Sequence, residues 1–329
     1  MITTTSLDDA LANVHRHHLE YGPGFSDHAP MVLDALEHSG RGEHIDRWVA
    51  GYLPRLDPLT LRTEPEEQRW IAVFDEALND RDWQDVVAEW VPALVDAFPT
   101  AAGHGLLRTA HAARSLGRAD TPERRRELAH GLAYWSWRAQ RLPSVAVAGS
   151  ATPAQVLSRL PAAAPADQQG SISARLGRVV TPDFVRGAAE VALPDDPADA
   201  LTLVTEQAAR ALRSAGPAGT FAVLHGLTSS IASRDLLLLV SPGDARRLVE
   251  AAWLTVAALW VAYGGGNPLV ATSARGIVPA ADELVVRAVR HGDEHAIKVA
   301  VAAWSEERAT GDRPEVRAAA LAGVEFFGA

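Results

Sequence analysis

The chain has 329 residues, of which 47% are hydrophobic and 22% charged, as in soluble globular proteins large enough to bury a substantial core. A formal net charge of −10, without any basic run interleaved with aromatic residues, argues against nucleic-acid binding. The absence of cysteine excludes disulfides, thiolate nucleophiles and cysteine-ligated metal clusters. The N-terminal residues lack signal-peptide features, and the most apolar stretch, 248–263, is shorter than the ~20 residues of a membrane span. We therefore expect a cytoplasmic protein with no membrane or nucleic-acid partner; the sequence leaves its oligomeric state open.

The first predicted helix runs from Leu7 to Tyr21 and contains three histidines at 15, 17 and 18. Because consecutive residues point in different directions around a helix, these histidines cannot converge on one ion, and we expect His15 and His17 to be mostly solvated. Pro30 is tolerated only in a first turn, so the second helix should begin near His28 or Ala29. His28 then lies at the entry of a helix that faces the core.

Helical spacing of apolar residues continues along the chain, and no segment is convincing as a strand. The further helices are predicted over 45–53, 66–78, 83–98, 101–114, 121–141, 152–160, 171–178, 182–189, 197–214, 219–240, 242–263, 279–290, 293–307 and 314–324. Between 142 and 170 the composition shifts to Ala, Pro, Ser and Gln, which is typical of a linker between lobes or of a surface excursion from one domain. We predict one all-α domain over residues 1–329, with an irregular multi-helix globular fold.

Lys298 is the only lysine in the sequence, and every other basic side chain is arginine. His295 lies three residues earlier and shares its helix face, and the apolar run 299–304 follows directly. Arginine cannot replace a lysine whose amine must lose its proton, because the guanidinium group stays charged. The alternative is a compositional bias against lysine, with the one remaining side chain reaching out to solvent.

Several histidines lie in apolar helical contexts. His104, Arg108 and His111 share one helix face, and His225 lies between apolar neighbours, although a lone core histidine usually bonds to a carbonyl. Imidazoles suit Fe, Cu, Zn and Ni, so these positions indicate a central metal site, with unconnected core histidines as the alternative. The candidates are His28, His104, His111, His225, His295 and Lys298. The sequence has no paired His-Asp motif, His-Glu-x-x-His motif, phosphate-binding glycine loop or nucleophile elbow, so no built-in nucleotide or nicotinamide fold is supported.

Four short motifs, in order, resemble those of the questin oxidase-like family of aromatic polyketide biosynthesis. They are Phe25-Ser-Asp-His28-Ala-Pro-Met, Gly103-His104-Gly-Leu-Leu-Arg108, His225-Gly-Leu-Thr228 with Arg234, and Asp293-Glu-His295-Ala-Ile-Lys298. The resemblance implies a non-haem iron oxygenase that opens the central ring of anthraquinones, with iron held by four histidines and a carboxylated lysine. Carried over by motif, the ligands would be His28, His104, His225, His295 and Lys298, whose neutral amine would add CO₂ to form an anionic carbamate.

The same resemblance implies Fe(II), the carbamate on Lys298, O₂ and an aromatic polyketide substrate. Our own hypothesis is that Arg108 is catalytic and pairs with a substrate phenolate. His111 is an alternative or additional ligand beside His104, and His291 would share the face of His295 if Gly292 did not break the helix. The runner-up reaction is a Baeyer–Villiger monooxygenation of a polycyclic ketone, with electrons from NADPH delivered through a separate reductase. The alternative from another class is a non-catalytic helical protein that binds a metal or a pigment.

Overall fold

The computed structural model describes residues 6–264, 266–269 and 278–328. These residues form sixteen α-helices and two antiparallel two-residue strands, β1 (Glu20–Tyr21) and β2 (Phe25–Ser26), so the predicted all-α class is confirmed. The helices are α1 (Leu7–Val14), α2 (Ala29–His38), α3 (Ile45–Tyr52), α4 (Pro65–Asp80), α5 (Trp83–Leu94), α6 (His104–Arg118), α7 (Pro122–Trp137), α8 (Pro153–Arg159), α9 (Ile172–Val179), α10 (Pro182–Ala188), α11 (Pro197–Ser214), α12 (Gly216–Leu237), α13 (Pro242–Tyr263), α14 (Ala281–His291), α15 (Glu294–Thr310) and α16 (Pro314–Phe327). The predicted domain, 1–329, includes short segments outside the described residues.

Helix starts follow the local chemistry of the sequence. The side chains of Thr121 and Ser241 accept hydrogen bonds from backbone N–H groups in the first turns of α7 and α13, and each is followed by proline. This arrangement satisfies an N–H group that has no partner inside the helix, and proline has no N–H group to satisfy. The carboxylate of Asp293 accepts from the N–H groups of His295 and Ala296, so α15 begins where the sequence predicted.

The predicted first helix is too long, and the expectation of no strand is wrong for residues 20–26. α1 ends at Val14, and Glu20–Tyr21 forms β1. His15 is only 5% exposed, so its expected solvation is also wrong, whereas His17 is half-buried. The physical reason is that His15 contacts the buried carboxylate of Glu127 on α7, and His18 contacts the buried carboxylate of Glu67 on α4. If α1 continued through residue 18, the two rings could not reach these two partners.

Four helices meet around the centre of the molecule. α6 packs against α2 and α12, and α15 packs against the same two helices, so the four form a closed set of neighbours. α6 also packs closely against α7, because Gly105 faces the backbone of Trp135 and Gly131 faces the backbone of Thr109. These contacts fix where side chains on α2, α6, α12 and α15 can meet.

The segment 142–170 packs on α13. The indole Nε1 of Trp260 donates to the carbonyl of Leu157 at 3.3 Å, and the N–H of Ala163 donates to the carbonyl of Val261 at 3.0 Å. Val156 and Leu157 are buried. Throughout the described ranges, no helix combines the length and the apolar character needed to cross a membrane.

We predict that Gly105→Ala destabilises the fold by about 1–3 kcal/mol, the usual effect of overpacking. A methyl group at this position would lie 2.7 Å from the Cα atom of Trp135, which is backbone and cannot move aside cheaply. The matched control is Gly117→Ala on the same helix, where a methyl group meets nothing within 4 Å. That change should stabilise by up to about 1 kcal/mol through helix propensity. Urea unfolding of both variants is the measurement, and equal stability of the two would contradict this account of the α6–α7 contact.

Candidate metal centre

Four buried imidazoles meet where α2, α6, α12 and α15 contact one another. Their rings form a closed series of neighbours, each at most 6% exposed. The ring centroids are 4.6 Å apart for His28 and His104, 4.9 Å for His104 and His225, 5.7 Å for His225 and His295, and 4.7 Å for His295 and His28. The four histidines that the family motifs assigned as ligands therefore converge in the structure, whereas the other two candidates, His111 and His291, lie elsewhere.

An irregular turn before α6 positions His104. The φ values of Ala101, Ala102 and Gly103 are positive, at 49°, 60° and 87°. Residues other than glycine rarely adopt this left-handed backbone conformation. Two successive alanines in this region cost of order 1–3 kcal/mol each, and such strain clusters at functional sites. The turn brings the carbonyl of Ala101 within 2.5 Å of Nδ1 of His104.

Backbone carbonyls fix the protonation pattern of two rings. Nδ1 of His104 donates to the Ala101 carbonyl, and Nδ1 of His225 donates to the Phe221 carbonyl at 2.8 Å. In a neutral imidazole the other nitrogen, Nε2, then carries a lone pair. Nε2 of His104 lies 2.7 Å from Nε2 of His28. Nε2 of His225 and Nε2 of His295 are buried and have no hydrogen-bond partner among the described residues.

Electrostatics keep these rings neutral. Burial, aided by the charge of Lys298, lowers the pKa of His225 to about 3. Burial likewise holds the pKa values of His28, His104 and His295 well below the ordinary range, and the charges of neighbouring histidines and Lys298 add to the effect. Four neutral imidazoles are the protonation state that metal coordination needs.

Lys298 lies one turn after His295 on α15 and is only 3% exposed. Its Nζ atom has no hydrogen-bond partner in the described part of the chain. Burial lowers the pKa of Lys298 to about 8, although the carboxylates of Glu294 and Asp293 oppose the shift. The amine is therefore far easier to neutralise than an exposed lysine.

Glu294 joins the cluster, and sequence reasoning did not single it out. One oxygen of its carboxylate lies 3.7 Å from Nδ1 of His28, and Glu294, His28 and His295 each offer one ligand atom within 4.8 Å of the others. Arg55 donates to both oxygens of Glu294, at 3.1 and 3.2 Å. An acidic residue in the first turn of a helix is ordinarily explained by the helix dipole, which concealed this role. Two histidines and one carboxylate are a ligand set of non-haem Fe(II) oxygenases.

Three other residues that the sequence analysis proposed for the site, His111, His291 and Arg108, lie outside the histidine cluster. Nδ1 of His111 faces the carboxylate of Asp34 at 2.7 Å, and His291 is exposed at the end of α14. Arg108 is 1% exposed and donates to both carboxylate oxygens of Glu127, at 2.5 and 2.9 Å. The pairing of Arg108 with a substrate phenolate stays a prediction.

A cavity of about 270 Å³ lies beside the histidine cluster. Its walls include Trp48 and Tyr52, whose rings stack with centroids 4.7 Å apart, and Arg55. Tyr52 accepts a hydrogen bond from the N–H of His28, and Arg55 binds Glu294, so the cavity wall is joined directly to the cluster.

Two phenylalanines cover another side of His295. Phe327 stacks on the His295 ring at 4.9 Å with an interplanar angle of 16°, and Phe221 contacts the rings of His225 and His295. Phe221 is 44% exposed, so it separates the cluster from solvent at this side.

Most of the residues of the buried cluster lie in the range that a family comparison covers. The model of the family described as questin oxidase-like matches residues 60–303, about three quarters of the chain, and the chain belongs to that family. The protein is therefore an oxidoreductase, an oxidase or oxygenase of polyketide metabolism. The match includes His104, His225, His295 and Lys298, whereas His28 precedes it and joins the group through the geometry. A comparison with curated proteins found no match.

The buried histidines predict how stability depends on pH. The pKa of His225 is about 3 in the folded chain against 6.5 as its ordinary value, so between these values the unfolded chain binds a proton that the folded chain lacks. Stability from this group is complete above about pH 6.5 and falls as pH drops below it, by up to about 1.4 kcal/mol per pH unit. We therefore predict that, in a chelating buffer, the unfolding free energy of His225→Ala depends less steeply on pH than that of the wild type. Between about pH 6.5 and 5 the slope should be smaller by up to about 1.4 kcal/mol per pH unit.

Urea unfolding across this pH range measures the slope. The matched control is His44→Ala, which removes an imidazole whose side chain is 42% exposed. Identical slopes for the wild type and His225→Ala would show that the ring is not held neutral by the fold.

Proposed function

Starting from membership of the questin oxidase-like family, we propose that this chain is a non-haem Fe(II)-dependent oxygenase. It would use O₂ to cleave a ring C–C bond of an anthraquinone-like or other aromatic polyketide. The observation that supports the proposal best is the closed series of four buried, neutral imidazoles beside a buried amine.

In this proposal His28, His104, His225 and His295 hold the iron. The Nδ1–H bonds of His104 and His225 to backbone carbonyls orient these two rings and present Nε2 to the ion. Bound Fe(II) would supply the position at which O₂ takes electrons from an electron-rich phenol or hydroquinone. Imidazole ligands combined with an anionic oxygen ligand suit this metal.

Lys298 would supply the anionic ligand after carboxylation. Its neutral amine would attack CO₂, so that a C–N bond forms while one C=O π bond breaks and its electron pair moves onto oxygen. The nitrogen then loses a proton to water, which gives an anionic carbamate that resembles a carboxylate. Burial of the amine favours the neutral form that this step needs. Glu294 is the alternative anionic ligand, because its carboxylate lies beside His28, although Arg55 already binds it.

The chain's aromatic residues would bind the substrate. Trp48 lines the cavity beside the cluster and is partly exposed, so its ring would stack on a polycyclic substrate. Tyr52 is buried against Trp48 and Arg55 and would hold the Trp48 ring in place. Arg55, in the same wall, would place a positive charge close to a bound phenolate. Arg108, for which the same role was predicted, does not line this cavity and donates to both carboxylate oxygens of Glu127. Phe221 and Phe327 cover the side of His295 that would otherwise face solvent, and so would keep water from the site.

We predict stoichiometric iron in untagged wild-type protein reconstituted anaerobically with Fe(II) and bicarbonate. Lys298→Arg keeps the positive charge but cannot form the carbamate, so it should lose most of the iron, as should Lys298→Ala. Glu294→Gln should keep the iron if the carbamate is the anionic ligand. Elemental analysis measures the metal. Full iron in Lys298→Arg together with loss in Glu294→Gln would transfer the anionic role to Glu294, and no iron in the wild type would overturn the proposal.

Oxygen uptake with reduced anthraquinones tests the reaction. A ring-cleaving dioxygenase consumes O₂ without NADPH and places both labelled oxygen atoms in the product, and His225→Ala should lower the rate by at least about 100-fold. A Baeyer–Villiger reaction requires two electrons from NADPH, places one oxygen atom in the product and releases the other as water. Binding of iron or pigment without O₂ uptake would favour the non-catalytic alternative.

A further inference from the structure

A second buried cluster of metal-ligating side chains lies on the α7 side of α6. His15 follows the end of α1, and Glu127 and His130 lie one turn apart on α7. They are 5%, 4% and 3% exposed, and each offers one ligand atom within 4.8 Å of the other two. None of the three belongs to the histidine cluster around His225, so the proposed function leaves this group unexplained.

Several polar atoms of this cluster are buried without partners. Both ring nitrogens of His130 and Nδ1 of His15 have no hydrogen-bond partner among the residues that the structure describes. The two rings lie 4.5 Å apart between centroids, tilted by 55°. Buried polar atoms are rarely left unpaired, and three in one small volume point to a missing ligand.

The protonation states of Glu127 and His130 are those that metal coordination needs. Burial opposes ionisation of Glu127, but Arg108 and His15 outweigh it and keep the pKa of this carboxyl below its ordinary value. Burial, with the charges of His15 and Arg108, holds the pKa of His130 well below the ordinary range. The cluster thus offers a carboxylate and a neutral imidazole with a free lone pair, a donor set that suits divalent first-row transition ions.

The distances already approach coordination geometry. Nε2 of His15 lies 2.9 Å from Oε2 of Glu127. Two ligands of a tetrahedral ion, each about 2.0–2.1 Å from it, are about 3.3 Å apart. A movement of a few tenths of an ångström would therefore replace this hydrogen bond by shared coordination, while Arg108 continues to donate to the same carboxylate.

A cavity gives this cluster access to solvent. It has a volume of about 980 Å³, and His15 is part of its lining. The acidic residues of the lining are Asp75, Asp80, Asp82, Asp85 and Glu123, and they outnumber its arginines, Arg81, Arg125 and Arg126. Such a lining raises the local concentration of cations. Asp75, which interacts electrostatically with His15, or a water molecule from the cavity would complete the coordination.

We infer that His15, Glu127 and His130 form a second site, separate from the histidine cluster, which binds a divalent transition-metal ion such as Zn²⁺ or Co²⁺. The ion would join the end of α1 to α7, and through Arg108 it would brace α6, the helix that also carries His104. Its role would be structural, because the ion would link two helices and lies apart from the histidine cluster.

The test uses Co²⁺ and Zn²⁺ alone as probes, on untagged full-length chain stripped with a chelator. In the background His28→Ala/His225→Ala/His295→Ala, which removes three of the four imidazoles of the first cluster, calorimetry should still show one equivalent of metal, and Co²⁺ should give the visible absorption of a low-coordinate ion. Adding His130→Gln or His15→Gln should weaken this binding by at least about 100-fold. The matched control, His17→Gln, changes a half-buried histidine two residues from His15 and should leave it unchanged.

Metal binding should also be compared between the wild-type chain and the single variant His130→Gln, because the multiple variant could fold poorly. There His130→Gln should remove one equivalent of Co²⁺ and its absorption while circular dichroism stays unchanged. Zn²⁺ should also raise the melting temperature of the His28→Ala/His225→Ala/His295→Ala protein, and this increase should vanish with His130→Gln. No metal bound in that background, or binding that survives both His15→Gln and His130→Gln, overturns the inference. Neither result depends on whether the first cluster binds iron.

Discussion

The central constraint on this structure is the removal from water of four imidazoles and one amine at the contact of four helices. A buried polar group without a partner costs about 1–3 kcal/mol, and a whole domain is stable by only about 5–15 kcal/mol. The closely packed apolar helices around α6 have to offset this cost. The same loss of water makes the nitrogens useful, because it suppresses their protonation and leaves Nε2 of His225 and Nε2 of His295 without a hydrogen-bond partner among the described residues. Burial of these groups therefore lowers the stability of the fold and at the same time gives the nitrogens the protonation state that metal binding needs.

The sequence predicts the helices well because their starts have local causes. Proline in a first turn and a capping aspartate or serine act within a few residues, so helices such as α13 and α15 begin where they were expected. Convergence of the histidines is different. Spacing along a helix fixes only which face a residue shares, and it was the apolar contexts and the family motifs that grouped His28 with His104. The 2.7 Å contact between the two rings depends on the left-handed turn at 101–103. In the sequence of this turn, only Gly103 is a residue type that favours such a conformation.

Sharing a face also did not mean sharing a partner. His104, Arg108 and His111 lie along one side of α6, yet they contact His28, Glu127 and Asp34 respectively, because α6 is surrounded by several elements. His15 was missed for a related reason. Its partner, Glu127, is 112 residues away, and no local pattern announces a contact of that separation. Glu294 was missed because an acidic residue at a helix start already has a sufficient local explanation.

The single lysine has a practical consequence for anyone who handles this protein. Reagents that acylate side-chain amines have one possible target in the whole sequence, and in the folded chain that target is 3% exposed among the clustered histidines. Apart from the α-amino group, covalent labelling therefore carries no surface background. A single mass shift at Lys298 reports whether the interior has opened, so the residue serves as a built-in chemical probe of the folded state.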